Sequence, residues 1–215
     1  MFSSLLELDK SITLALNGSD SIIMDSIMKI ITSTIVWIPV GLFLLYYIYR
    51  KCGIKSMLLV LGGMALCILL ADMMSSGVCK PLVARLRPSN EPSLAGMVDL
   101  VNNYHGGWYG FFSAHAANTM SIAVFLSLLL RHRPIVVLLI VWSLLNCWSR
   151  IYLGVHYMGD ILVGLVWGTL VGWGVYLLLR RYTGHRLDLN TQPMVTAMLL
   201  TFAFIVCLAP LLTAK

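Results

Sequence analysis

Apolar runs broken by short basic turns constrain this chain more than any other feature of its sequence. They fall at about residues 31–49, 56–74, 115–130, 134–148, 159–179 and 194–212. A helix needs about 20 consecutive apolar residues to cross a bilayer's hydrocarbon core. Within lipid every backbone N–H and C=O has to be satisfied inside the segment, which a helix does. The third and fourth runs are short for a crossing, so they borrow flanking residues or tilt little. The expected fold is an all-α, six-transmembrane helical bundle. Composition agrees: 59% of residues are hydrophobic, 11% are charged and the mean hydropathy is +0.87, where a soluble domain is about a quarter charged. The 215 residues accommodate six spans and their loops as a single membrane domain, 1–215, with no room for a second, soluble one.

Residues 1–30 read as an amphipathic N-terminal region. Leu5, Leu8, Ile12 and Leu16 recur at helical spacing with Glu7, Asp9 and Lys10 between them, which predicts a helix lying along the membrane surface. The first residues lack a basic start followed by a long apolar stretch, so no cleavable signal peptide is expected.

Charge sets the orientation. Arg50, Lys51, Lys55, Arg131, Arg133, Arg180, Arg181 and Arg186 follow the first, third and fifth runs, and the positive-inside rule places such turns in the cytoplasm. The N-terminal region, the polar interval 80–108 and the turn 149–160 then face the other side. The net charge of +6 is scattered over run ends, which argues against a nucleic-acid partner. Cys52, Cys67, Cys79, Cys147 and Cys207 have neither disulfide-framework nor metal-ligand spacing and read as packing thiols. No metal and no cofactor is expected.

Three clusters of chemistry-bearing residues fall on that outer side. The first is Lys80, six residues, then Arg87-Pro88; the second is Phe112-Ser113-Ala114-His115; the third is Ser149-Arg150, five residues, His156, three residues, Asp160. All lie at helix ends, so a six-helix topology gathers them in one surface pocket. Cations near a membrane interior are costly and mark function, and converging Lys80, Arg87 and Arg150 suit a phosphate, two of whose oxygens an arginine grips at once. Ser113 opens the third span, whose first N–H groups favour an anion. His156 and Asp160, four residues apart, share a helix face. A carboxylate on one imidazole nitrogen sets the tautomer and leaves the other nitrogen to attack. His115 suits proton donation near neutral pH. Together these are the parts of a phosphoryl-transfer site, with the long 80–108 interval as its loop.

KPLVARLRP, FSAH and SRIYLGVHYMGD also resemble the KxxxxxxRP, PSGH and SRxxxxxHxxxD motifs of the type 2 phosphatidic acid phosphatases. The first and third match at every defining position. The second keeps Ser113 and His115 but has Phe112 for proline and Ala114 for glycine. The motif order, intervals and six-span layout fit over nearly the whole chain. The resemblance implies that His156 forms a phosphohistidine intermediate held by Asp160, and that His115 protonates the leaving oxygen. Lys80, Arg87, Ser113 and Arg150 would hold the phosphate oxygens, water would release phosphate, and no metal would take part. It implies a bacterial inner-membrane enzyme whose site faces the periplasm. Relatives of this kind act on undecaprenyl diphosphate, lipid A, phosphatidylglycerophosphate or phosphatidic acid. Periplasmic presentation of the phosphate favours the first two.

Each feature has a plainer reading: a buried His156–Asp160 pair, snorkelling anchors at Lys80 and Arg87, a helix cap at Ser113. All of these would have to hold together while reproducing three motifs in order. A phosphotransferase would use the same residues with an alcohol or sugar as acceptor. Vanadate-dependent haloperoxidases share a related fold but are soluble, against the apolar runs here. A transport or scaffold protein with a dead site would have lost motif residues. Trp108, Tyr109, Trp148, Tyr152 and Tyr157 are expected as interfacial aromatics. Asp72 is expected in a structural pairing with Lys80 or a serine. Gly164, Gly168 and Gly172 are expected as a stripe of close helix packing within the chain. His105 and His185 lie outside the motifs.

Overall fold

A computed structural model describes residues 2–183 and 187–213; His185 and Arg186 lie outside them. The described chain is helical, with one isolated bridge pairing Leu86 and Tyr109. Two N-terminal helices, α1 (Phe2–Ala15) and α2 (Ile22–Ile31), precede α3 (Thr34–Asp72), a π-helical stretch Met73–Cys79 and a last turn α4 (Lys80–Val83). Then follow α5 (Ala114–Leu130), α6 (Arg133–Tyr152), α7 (Met158–Thr183) and α8 (Gln192–Thr213).

Among the described residues, four helical stretches are long and apolar enough to cross a membrane: Thr34–Val83, Arg133–Tyr152, Met158–Tyr182 and Gln192–Leu212; Ala114–Leu130 is a shorter apolar helix. The 50 residues of Thr34–Val83 would measure about 75 Å as one helix, far beyond a bilayer. Gly53 breaks it, at φ 80° and ψ 174°, a conformation open to glycine alone. The chain reverses there. Before the break, Tyr47 Oη donates to Asn190 O (2.9 Å), close to where Leu187 N meets Leu129 O. After it, Ser75 Oγ donates to Phe112 O at the other end of the bundle (2.6 Å).

The main core joins α3, α5, α6, α7 and α8 through residues such as Ile48, Val60, Phe125, Leu129, Val175 and Met198. Within it α5 and α7 lie nearly backbone to backbone. A Cβ on Gly164, Gly168 or Gly172 would strike Ser113 O, Ala117 O or Ser121 O, so the glycine stripe packs inside the chain as expected. This close approach sets the start of α7, with Asp160, beside the start of α5, with Ser113 and His115. Local signals hold the ends: Ser113 Oγ accepts from Ala116 N (3.4 Å), Pro134 opens α6, and α7 carries Asp160 in its first turn and Arg180 and Arg181 in its last.

The expected N-terminal helix is α1 (Phe2–Ala15), and α2 follows it after Gly18 turns the chain at φ +61°. Two expectations change. Lys80 sits on helix rather than in the loop, since the second apolar run continues through the π-helical stretch to Val83. Tyr152 and Tyr157 are 2% exposed, so they are core residues; Tyr152 Oη donates to Asp25 (2.7 Å), and Tyr157 lies under Arg85. Trp108, Tyr109 and Trp148 are exposed as expected, and all five cysteines are free.

Candidate active site

The chain enters the site at the end of α4. Ala84 adopts a left-handed conformation (φ 48°) that ends the helix and turns Arg85 and Arg87 back over the bundle. Arg87 N donates to Trp108 O (3.2 Å) and Gly110 N to Arg85 O (2.9 Å), pinning both sides of the loop. Glycines on the returning side of the loop let it lie close over the site. A Cβ on Gly106 would meet the Arg87 guanidinium at 2.7 Å, and one on Gly110 the Asp160 carboxylate at 3.0 Å.

His156 lies beneath, 2% exposed. Its Nδ1 is 3.4 Å from Asp160 Oδ2 without closing a well-aligned hydrogen bond. Its Nε2 faces Arg87 Nη1 at 3.2 Å. Since a guanidinium can only donate, Nε2 carries its lone pair toward Arg87 and the ring proton sits on Nδ1, toward the carboxylate. Burial, and then the charges of Arg87, Arg150 and Lys80, hold the His156 imidazole well below the ordinary histidine range. The ring is therefore neutral at neutral pH, the form a nucleophile needs.

Asp160 is fully buried. Its Oδ1 accepts from Arg85 Nη1 (3.1 Å) and its Oδ2 from Tyr157 N (3.1 Å). Ser113 N donates to Asp160 O (3.1 Å), which ties α5 to α7. Ser113 Oγ accepts from Ala116 N in its helix cap, which leaves its hydroxyl proton to donate to an anion.

The other sequence-derived residues surround this centre. Arg150, in the last turn of α6, donates from Nη1 to Thr32 Oγ1 (2.7 Å) and Tyr104 Oη (3.1 Å). Lys80 donates to Ser76 Oγ (3.0 Å), which donates to Asp72 (3.1 Å), so Asp72 pairs structurally through a serine. His115 is half-buried, within electrostatic reach of Arg150, His156, Lys80 and Arg87. Arg87 Nε and Arg150 Nε are buried donors with no protein acceptor among the described residues. Buried donors are nearly always satisfied, and two such donors at the end of the bundle that holds His156 suit an anion's oxygens. Among the described residues, no three His, Cys, Asp or Glu side chains are grouped as metal ligands would be.

The departures from the motif are accommodated. Phe112 is 3% exposed and packs on Ala71 and Ala117, while Ala114 is the first residue of α5. Sequence reasoning missed Arg85, whose signal was a third cation in KPLVARLRP, and Asp9, Thr32 and Tyr104, which carried none.

The chain matches the PAP2 superfamily over residues 56–184. It is 36% identical over 186 residues to a "Lipid A 4'-phosphatase" of Bacteroides thetaiotaomicron, covering 86% of this chain and 83% of that one. It is 35% identical over 174 residues to a "Lipid A 4'-phosphatase" of Porphyromonas gingivalis, covering 80% and 73%. Its fold is similar to the crystal structure of a transmembrane PAP2-type phosphatidylglycerolphosphate phosphatase from Bacillus subtilis. The TM-score is 0.62 with 22% identity, over 85% of this chain and 90% of that one.

Proposed function

We propose that this chain, which belongs to the PAP2 superfamily and is a multi-pass membrane lipid phosphatase, removes a phosphate from lipid A, at the 4′ position that its curated relatives' names give. The observation that carries the chemistry is the placement of His156, with Asp160 at Nδ1 and Arg87 at Nε2.

The lipid phosphate displaces Arg87 from Nε2 and is gripped by Arg87, Arg150 and Lys80, with the α5 N-terminus adding its dipole. Nε2 attacks phosphorus as the bond to the sugar oxygen breaks. His115 gives its proton to that oxygen. The incoming phosphate's negative charge favours the protonated form of His115 that this step uses. Asp160 stabilises the phosphoimidazolium through Nδ1–H. Water, deprotonated by His115, then attacks phosphorus and frees phosphate and Nε2. The cations supply the charge stabilisation that a metal would supply elsewhere, so the reaction needs none.

The chain makes six crossings, with Gly53 dividing the first two. Residues 1–215 form one unit, and the loop 84–108 roofs the site on the periplasmic face of a bacterial inner membrane. The exposed bases at the opposite end support that orientation.

Phosphate release from lipid A by the purified protein in detergent with chelator, beside His156→Ala, tests this. Release that stops in the variant is expected. Continued release by His156→Ala would remove His156 as nucleophile, and release from undecaprenyl diphosphate alone would move the substrate.

A further inference from the structure

The N-terminal helix does more than lie on the membrane. Asp9 and Thr13, one turn apart on α1, cap the start of α7 from outside. Asp9 Oδ1 accepts from Gly159 N (2.7 Å) and Thr13 Oγ1 from Met158 N (3.0 Å). Gly159 lets Asp9 approach this closely, since a Cβ there would sit 2.9 Å from Asp9 Oδ2 and press the carboxylate away. Asp9 Oδ2 also accepts from Arg85 Nη2 at 2.7 Å, and Arg85 Nη1 donates to Asp160 Oδ1 at 3.1 Å. Arg85 Cζ lies over the Tyr157 ring, 3.9 Å from its centroid, while its Nη1 and Nη2 face the two carboxylates. The network is mostly enclosed: Arg85 is 21% exposed and Asp9 16%.

We infer that Asp9 and Arg85 are positioning residues of the phosphatase, a charged strap from α1 that holds Asp160 against His156. Asp9 lies outside the family match, which begins at residue 56. The inference rests on His156 being the nucleophile.

Charge explains why the strap takes this form. Arg85 fixes Asp160 by Oδ1 and leaves Oδ2 for His156. Alone, the Arg85–Asp160 pair would be neutral and would give little support to a phosphoimidazolium. Asp9 restores one net negative charge to the group. A mere cap on α7 would need only an acceptor, as Thr13 shows.

The test compares steady-state kinetics and the pH dependence of kcat/KM for Asp9→Asn, Arg85→Gln, Thr13→Val and His156→Ala in full-length protein. The other charges facing His156 stay constant: Arg87 from the loop, Lys80 from α4, His115 from α5, Arg150 from α6 and Asp160 from α7. Asp9→Asn keeps an oxygen for Gly159 N but removes the charge. It is expected to lower kcat roughly tenfold or more, on the scale of a small misplacement of reacting groups, with KM little changed, and to move the acidic limb to lower pH. Arg85→Gln is expected to move the limb to higher pH. Thr13→Val is expected to lower the melting temperature with the limb in place. Wild-type kcat and limb in Asp9→Asn would overturn the inference, as would losses in Asp9→Asn and Arg85→Gln with neither limb moved. If Asp9→Asn does not fold, Arg85→Gln decides: an upward shift upholds the strap and an unmoved limb overturns it. Activity persisting in His156→Ala would instead break the nucleophile assignment beneath it.

Discussion

The two ends of the bundle carry the same residue types in opposite surroundings. At the end formed by the Gly53 break, the α5–α6 turn and the last turn of α7, Arg50, Lys51, Lys55, Arg131, Arg133, Arg180 and Arg181 are all exposed. At the other end Arg87 and Arg150 are 8% and 4% exposed, and both keep a buried Nε without a protein acceptor. An exposed cation at a lipid boundary keeps its hydration and acts by long-range charge, setting orientation. A buried one has lost its water, and its field in a poorly screened site is strong enough to act on chemistry. The difference comes from what covers them. The loop 84–108 and α1 close over one end, and the other end is left to short turns.

The comparison breaks most readily at the buried cations. Arg150→Ala or Arg87→Ala should lower kcat/KM by about a hundred- to a thousandfold, as loss of a buried donor to a developing charge does. Arg131→Ala and Arg180→Ala should stay within about twofold. Phosphate-release kinetics on the four purified variants would show it, and comparable losses at the two ends would end the distinction. Asp160→Asn should cost about as much as the buried cations, because it loses the charge that supports the imidazolium, with protein yield and melting temperature as controls for folding.

A smaller effect concerns the packing that brings the site together. Gly168→Leu forces a side chain into Ala117 O and should destabilise by about 1–3 kcal/mol. Thermal unfolding in detergent would detect it as a lowered midpoint. Gly174→Leu, where a Cβ meets nothing within 4 Å, should leave the midpoint nearly unchanged.

The pH dependence sharpens the same contrast. Burial and three cations depress the His156 pKa, so the neutral imidazole persists as pH falls and is lost only below the ordinary histidine value of about 6.5. The acidic limb of kcat/KM, which reports the free enzyme, should lie below 6.5. Arg150→Ala, by removing one of those cations, should raise it. The smallest effect on turnover belongs to Arg131→Glu with Arg133→Glu. Orientation should shift in a labelling assay at position 132, while correctly inserted molecules keep normal turnover.

How much of this was legible in the sequence follows from range. The apolar runs, the basic turns and the glycine stripe are local patterns, so the helices and their ends could be read directly. The seven motif residues were legible because spacing carries them: His156 and Asp160 need only one helical turn between them. Arg85 was in plain view but had no partner at any local spacing. Its carboxylates lie 76 residues before it and 75 after it. Tyr152 and Tyr157 were misjudged because an aromatic at a helix end looks the same whether it faces headgroups or core.

The sequence by itself determined a helical membrane protein, the spacing of its three motifs and the basic character of one set of turns. Those properties depend on side-chain polarity and short-range period, which are written residue by residue. Only the tertiary structure decided which cations are buried, that His156 turns Nε2 toward Arg87, and that α1 reaches Asp160 through Arg85. Those depend on the left-handed turn at Ala84, the reversal at Gly53 and the backbone contact of α5 with α7. Each is a meeting of segments far apart in the chain, where desolvation and distance set the strength of every charge.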